Sequence, residues 1–193
     1  MMSKDFMKKL ESISKEFADK NYIFDVILYG SIVKGKENPN DTDILLLFVE
    51  KPLKERIEIA QKFKNKIKGL VNKPHIEIAI LRDFFDKSYF ARQSFLAEGI
   101  SLLTGETISR KLGFRGYSLF SYTLENLDHN KKTKFTYALI GRKGSGGAIK
   151  IVSAERLGRG SLLVPTAQSS FFEEFLITWG VNYKKKQILV SEI

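Results

Sequence analysis

Cysteine is absent from all 193 residues. This absence excludes disulfide bonds and metal sites built from thiolates, and it fits a cytoplasmic protein. No apolar run approaches the roughly 20 residues that a membrane-spanning helix needs. Residues 1–21 are charged and amphipathic, without the apolar segment that a secretory signal carries. We therefore expect a cytoplasmic protein with no membrane span.

Acidic residues are scarce relative to basic ones, most of all in the second half of the chain. Residues 1–105 hold 18 lysines and arginines against 15 acids, whereas residues 106–193 hold 14 against 7. The net charge of +10 is thus divided into +3 and +7. A basic half of this kind indicates a polyanionic partner, although lysine-rich surfaces also serve solubility.

Familiar phosphate-binding motifs are missing too. No glycine-rich stretch has the Walker A spacing, and no Gly-x-Gly-x-x-Gly follows a predicted strand. The informative stretch is residues 29–44. Short runs rich in β-branched and aromatic residues, at 23–29 and 44–49, predict a strand on each side of it. The glycines, proline and asparagines between these runs predict a loop.

Two aspartates open the second of these strands. Asp41 and Asp43 are two positions apart, so they share a face about 6.6 Å apart along the chain. Such carboxylates repel each other unless a cation lies between them, and Mg²⁺ prefers oxygen ligands together with substrate phosphates. Gly30 would let the backbone approach a phosphate closely, and Ser31 adds a hydroxyl donor. The alternative is a polar hairpin loop whose acids are merely solvated.

The pattern resembles the signature of the DNA polymerase β-like nucleotidyltransferase superfamily, in its minimal type. It consists of an apolar residue at Tyr29, then Gly30 and Ser31, nine linker residues, the Asp41-x-Asp43 pair, and an apolar follower. The resemblance covers residues 1–105. It implies an α+β fold in which helices pack on a mixed sheet, and transfer of a nucleoside monophosphate from an NTP to a hydroxyl acceptor.

The resemblance also implies a third carboxylate on a later strand. Residues 75–81 alternate between polar and apolar, which predicts a strand with Glu77 and His75 on its polar face. Glu77 is the candidate for the third acid, as metal ligand or as general base. Asp83 and Asp86 are the fallback candidates, and a solvated edge-strand acid is the alternative.

These residues give a complete candidate site by analogy with the family. Two Mg²⁺ ions, with Mn²⁺ as the alternative metal, would sit on Asp41, Asp43 and Glu77. Gly30 and Ser31 would hold the triphosphate. The nearby lysines, Lys34 and Lys36, are further candidates for phosphate contact.

The resemblance ends near residue 105 and so divides the chain into two parts. Residues 1–105 are expected to form the nucleotidyltransferase part, where helical periodicity and turn residues predict helices at 3–20, 52–71 and 83–98 and a short strand at 100–103. Residues 106–193 form a small basic α+β module of unknown role. Its strands are predicted at 117–124, 162–164 and 183–190, and its helices at 131–140 and 169–179.

The basic module is the candidate for holding an RNA or DNA acceptor. Two glycine-rich turns and one strand start carry the cations expected to contact phosphates: Arg142, Lys143, Arg159, Lys184, Lys185 and Lys186. Aromatic residues are dense here, and most have the spacing of core residues. Two other functions stay open: a nucleotide or nucleic-acid binding protein without turnover, and an antitoxin-like nucleotidyltransferase that acts on a partner protein.

Overall fold

The structure, a computed structural model, describes residues 4–36, 40–142 and 146–191. The chain divides into two units, Met1–Gly113 and Phe114–Ile193, each with its own sheet. Across the described residues, no helix combines the length and apolar character needed to cross a membrane.

The first unit is built on a four-stranded mixed sheet. Its elements are α1 (Lys4–Asn21), β1 (Asp25–Tyr29), β2 (Thr42–Phe48), α2 (Leu53–Ile67), β3 (Pro74–Ile80), α3 (Arg92–Glu98), β4 (Ile100–Ser101) and α4 (Ile108–Lys111). The strand order is β3-β2-β1-β4. β2 and β3 run parallel, and β1 is antiparallel to both β2 and β4. The predicted mixed sheet with packed helices is confirmed.

Both faces of this sheet are covered, which explains the unbroken apolar run of β2. Ile44 and Leu46 belong to the core that α1 and α2 close, where Phe63 is fully buried. Leu45 points to the opposite face and packs with Phe95 of α3. Because both sets of side chains are buried, a strand in this position loses the alternation of a half-exposed strand.

The single helix predicted at 83–98 is wrong. A 3-10 turn, Leu81–Phe85, comes first, and only Arg92–Glu98 is α-helical. The Asp83 carboxylate accepts a hydrogen bond from the Ile80 N–H at 2.8 Å, and the Asp86 carboxylate accepts both the N–H and the hydroxyl of Ser88 at 2.8 Å. Such local side-chain bonds compete with helical ones, so this segment stays irregular.

The first unit continues past Gly105, where the sequence predicts its end. Ile108 of α4 is buried in the core on the α3 side. The Lys111 ammonium lies 2.9 Å from the carboxylate of Asp25, which is only 5% exposed. The other oxygen of this carboxylate accepts the Ser101 hydroxyl at 2.7 Å. Residues 106–113 therefore complete the packing around the start of β1.

The second unit has an antiparallel sheet with the strand order β6-β7-β5-β8. Its elements are β5 (Phe114–Thr123), α5 (His129–Ile140), α6 (Ala148–Ile151), β6 (Glu155–Gly158), β7 (Ser161–Pro165), α7 (Ser169–Thr178) and β8 (Asn182–Ser191). Apart from α6, this is the β-α-β-β-α-β arrangement of the ferredoxin-like fold. The sequence did not predict α6 or β6, which are only four residues each.

The core of the second unit is largely aromatic. Phe120, Phe135 and Phe172 are fully buried, and the Phe120 and Phe172 rings meet edge to face at 5.1 Å. The β6–β7 turn approaches this layer closely. Gly160 has φ +75°, and a Cβ there would lie 2.5 Å from the carbonyl oxygen of Tyr122. Glycine is therefore required at this position.

Candidate active site

The predicted acids lie at one end of the first sheet, on the face that α3 covers. β1 ends where β2 and β3 begin, so Tyr29 pairs with Asp43, and Asp43 pairs with His75. Glu77 follows two residues after His75 on the same face of β3, opposite Leu45. The sheet register thus places carboxylates of two parallel strands side by side.

Asp41 and Asp43 behave as a shared-face pair. Thr42 between them is 1% exposed, whereas Asp41 is exposed and the Asp43 side chain is 22% exposed. Burial and the negative charge of Asp41 raise the pKa of Asp43 above its usual range. His75 lowers this pKa, because its Nδ1 lies 3.3 Å from Asp43 Oδ1. The net effect is upward, so Asp43 ionises less readily here than it would in water.

Gly30 lies directly against this pair. Its φ is +84°, and a Cβ at this position would stand 2.5 Å from Asp43 Oδ2. Any other residue would meet both a strained backbone and the carboxylate. The glycine therefore allows the turn after β1 to reach the Asp43 side chain.

The loop after Gly30 folds back as a turn, with the Val33 N–H donating to the Gly30 carbonyl at 3.2 Å. Lys34 forms a salt bridge with Glu98, at 2.9 Å from a carboxylate that is only 3% exposed. This pair ties the loop to the end of α3. Lys36 is exposed, and Ser31 is half-buried in the turn.

Glu77 is held by two tyrosines. Tyr29 donates its hydroxyl to one carboxylate oxygen and Tyr89 to the other, both at 2.8 Å. Burial and the Glu77 charge raise the pKa of both phenols, which therefore remain protonated donors. Their bonds fix the carboxylate in one orientation.

The donor set fits a divalent cation at the two aspartates. Asp41 and Asp43 offer oxygen ligands whose mutual repulsion a cation would relieve. Among the described residues, no group of three or more acidic or histidine side chains is arranged to hold a metal ion. The structure therefore does not bring Glu77 into one ligand cluster with the aspartates.

The basic residues predicted to contact nucleic acid occupy different places in the second unit. Arg142 follows α5 and lies over the Tyr137 ring, at 5.3 Å from its centre. Arg159 is exposed in the β6–β7 turn. The three lysines of β8 do not form one cluster, because Lys185 forms a salt bridge with Glu173 of α7 at 2.7 Å. Lys184 and Lys186 are exposed. Lys143 lies outside the described residues.

Sequence reasoning missed the residues that support the acids. Tyr29 was noted only as the apolar residue before Gly30, although its place at the end of β1 puts it beside the aspartates. Tyr89 falls in the irregular segment read as helix, and no periodic signal marks it. Glu98 was counted as a helix residue, and its pairing with Lys34 depends on tertiary contact alone.

Part of the chain is similar to a known protein family. Residues 10–100 match the nucleotidyltransferase domain family. No curated protein matches the sequence.

Several solved structures are similar at low identity. One is a tri-AMPylated HEPN toxin in complex with MNT antitoxin from Shewanella oneidensis, with 19% identity, 55% of this chain and 78% of that chain covered, and a TM-score of 0.37. A toxin-antitoxin with AMP-PNP has 21% identity, with 53% of this chain and 78% of that chain covered, and a TM-score of 0.38. A third structure, from Shewanella oneidensis, has 18% identity, with 54% of this chain and 77% of that chain covered, and a TM-score of 0.37. Similarity at this level carries no information about the substrate or the partner of this chain.

The family match confirms the resemblance drawn from the Gly-Ser and Asp-x-Asp spacing: the chain carries a nucleotidyltransferase domain within residues 10–100.

Proposed function

We propose that this protein is a metal-dependent enzyme that transfers a nucleoside monophosphate from an NTP to a hydroxyl acceptor. The observation that carries the proposal is the Asp41–Asp43 pair at the start of β2, with Gly30 packed against it. Asp43 ionises less readily than in water because it is partly buried and lies beside Asp41, as its raised pKa indicates. A cation between the two carboxylates would relieve this repulsion.

Asp41 and Asp43 would hold Mg²⁺, or Mn²⁺ in its place. When bound, the metal would neutralise charge on the phosphates and acidify the attacking hydroxyl. The two carboxylates would hold the metal through the same oxygens that repel each other in its absence. His75 contacts Asp43 from the neighbouring strand and helps to fix its rotamer.

The turn after β1 would bind the triphosphate. Gly30 brings the backbone close to Asp43, and the Ser31 hydroxyl follows it in the turn. Lys36 is exposed and would neutralise phosphate charge. Lys34 would act indirectly, because its salt bridge with Glu98 anchors this turn.

Glu77 would accept the proton of the acceptor hydroxyl. The hydroxyl oxygen attacks the α-phosphorus, the bond from that phosphorus to the bridging oxygen breaks, and pyrophosphate leaves. Each carboxylate oxygen of Glu77 accepts one tyrosine hydroxyl and retains a second acceptor site. Tyr29 and Tyr89 would position the base without giving up their own protons, since their pKa values are raised.

Nucleic acid is the acceptor that we propose. The second unit, residues 114–193, carries 12 lysines and arginines against 6 acids. This surplus attracts a polyanion, and the 3′ or 5′ end of RNA or DNA supplies hydroxyls.

The test is incubation of the protein with each α-labelled NTP, Mg²⁺ and one of three acceptor pools: total RNA, denatured DNA, or the proteins of a lysate. We expect label in a nucleic acid pool and none when Mg²⁺ is chelated. Label in the protein pool alone would replace the nucleic acid acceptor with a protein acceptor. No label in any pool would contradict transfer.

A second candidate is a protein that binds nucleotide or nucleic acid without turnover. The favouring observation is that Glu77 is tied by two tyrosines and that the described acids do not assemble into a group of three. The Asp41–Asp43 pair argues against it, because a binder has no need of two repelling carboxylates. NTP binding without release of pyrophosphate would favour this candidate.

A further inference from the structure

The two faces of the second unit's sheet differ. One face packs against the helices: the Ser118 hydroxyl of β5 donates to Ser169 of α7 at 2.8 Å, and Tyr183 and Lys185 of β8 both bond to Glu173 of α7. The buried cores of α5, α6 and α7 all lie on this face with Phe120. Every second residue of each strand must therefore point to the opposite face.

The opposite face combines apolar side chains with cations. Tyr117 and Leu119 of the central strand β5 are half-buried there, and each pairs with a residue of β8. Tyr117 lies opposite Ile188, and Leu119 lies opposite Lys186. One pair further along, Ser121 lies opposite Lys184. No described helix of this unit belongs to a core on this face.

The charge of this face is positive. Lys184 and Lys186 are both exposed, and no described acid forms a salt bridge with either of them. The lysine between them, Lys185, turns to the other face, where Glu173 neutralises it. Glu155 of β6, opposite Leu163, is the one acid that the strand register places on this face among the described residues.

We propose that this face, defined by Tyr117, Leu119, Lys184, Lys186 and Ile188, binds single-stranded RNA. An aromatic side chain on a β-sheet stacks on an unpaired base through the part of its ring that stays accessible, and neighbouring lysines contact the phosphates beside it. A double helix has no unstacked base to offer, so the partner is single-stranded.

Hydroxyls on the same face favour RNA over DNA. Ser121 of β5 pairs with Ser161 of β7, so two hydroxyl groups lie side by side next to Lys184. Both can donate to and accept from a ribose 2′-hydroxyl, which DNA lacks. The inference deepens the acceptor part of the proposed function, and it rests on that function only for the link between binding and transfer.

The experiment measures binding of the full-length protein to a labelled mixed-sequence single-stranded RNA by fluorescence anisotropy at several salt concentrations, without NTP. We expect Lys184→Gln/Lys186→Gln to weaken binding at least about 10-fold at low salt. It should also flatten the plot of log affinity against log salt by up to about 1.4, since each single-strand phosphate contact contributes about 0.7.

A matched control removes the same charge elsewhere in the unit. Lys131→Gln/Lys134→Gln changes two exposed lysines of α5 and should alter affinity less than about 3-fold, because these residues lie on the helical side. If this control weakened binding as much as the β8 pair, attraction would be diffuse and the proposed face would be wrong.

Tyr117→Leu keeps the apolar volume and removes the stacking ring. We expect about 5-fold weaker binding or more, with an unchanged salt slope. An unaffected affinity would contradict the stacking role, and no RNA binding at about 50 mM salt would overturn the proposal. Single-stranded DNA of the same sequence, bound as tightly as RNA, would overturn the preference for RNA. Because NTP is absent throughout, failure here leaves transfer by the first unit a separate question.

Discussion

The two units treat charge differently. In the first unit, Asp25 and Glu98 are 5% and 3% exposed, and each is matched by one lysine. In the second unit, the buried polar residues that the structure describes are neutral: Ser118, Thr166 and Ser169. Buried charge needs a fixed partner, since an unpaired ion in the interior is strongly destabilising. The first unit is thus ordered by matched charges, and its surplus cations are few.

Against this pattern of paired charges, the two neighbouring aspartates Asp41 and Asp43 stand out. They lie on one face of the chain with no lysine of the described residues beside them, whereas the buried acids Asp25 and Glu98 of the same unit each have one. The second unit keeps its surplus cations at the surface, where they act at longer range and are screened by salt. Under the proposed function, the first unit would hold the reaction centre and the second unit the surface that attracts the acceptor.

Neutralising one of the two aspartates should have the largest effect on activity. We expect Asp41→Asn or Asp43→Asn to abolish nucleotidyl transfer while the protein stays folded, because one neutral amide cannot replace a metal-binding carboxylate. Initial rates of label transfer and circular dichroism would measure the two properties. Asp19→Asn, the same change at an exposed site of α1, is the control and should transfer at the wild-type rate. Near-wild-type transfer by either site variant would rule out the metal assignment.

A smaller loss of turnover is expected when Glu77, which two neutral tyrosines hold, is replaced. Glu77→Gln should lower turnover at least about 10²-fold, as the removal of a general base does. The measurement is the pH dependence of turnover, and the variant should lose the acidic limb of the wild-type profile. A wild-type rate would shift the third acid to Asp83 or Asp86, or remove it.

The tyrosine bonds to Glu77 sharpen this assignment. Tyr89→Phe deletes one hydrogen bond and should lower turnover by up to about 10-fold, since such a bond contributes about 0.5–1.5 kcal/mol. Tyr22→Phe, at a tyrosine that is 85% exposed, is the matched control. Equal effects of the two changes would show that Tyr89 does not position the carboxylate.

The matched charges of the first unit predict a stability effect. Glu98→Gln should lower the free energy of unfolding by about 1–3 kcal/mol, because the Lys34 ammonium loses its ionic partner near a buried position. Lys20→Gln breaks an exposed salt bridge with Glu16 and should lower the free energy of unfolding much less than Glu98→Gln does. Denaturant titration measures both, and similar losses would contradict a special role for the buried pair.

The smallest expected effect is a pH-dependent one at Asp43. Its pKa is raised in the folded state, so unfolding releases a proton and the metal-free protein loses stability as pH rises above 3.8. The Asp43→Asn variant does not lose stability in this way, because an amide does not ionise. The variant should match the wild type at more acidic pH and become slightly more stable than it at higher pH. A difference in unfolding free energy that does not change with pH would contradict the repulsive pair.

The sequence was sufficient for the parts of the fold that repeat regularly. The alternation at residues 75–81 predicted β3 and the face of Glu77, and the run rich in β-branched and aromatic residues at 44–49 predicted β2. The Gly30-Ser31 and Asp41-x-Asp43 spacing predicted the nucleotidyltransferase domain. These features are local, so neighbouring residues encode them.

Features that depend on distant contacts were missed. Asp86 breaks the helix predicted at 83–98 through its own bonds to Ser88, and this break places Tyr89 beside Glu77. The pairing of Lys34 with Glu98 joins residues 64 positions apart. The register of β5 and β8 decides which β8 lysines lie on the helix side of the sheet and which lie on the opposite face. Charge and composition alone could not distinguish the two faces of that strand.

The most direct test of the account compares NTP binding with pyrophosphate release for the wild type and for Asp43→Asn, in Mg²⁺ and with the acceptor pool that becomes labelled. The account predicts that the wild type binds NTP and releases pyrophosphate, and that the variant releases none. Binding by the wild type without release would contradict nucleotidyl transfer and leave a nucleotide-binding protein.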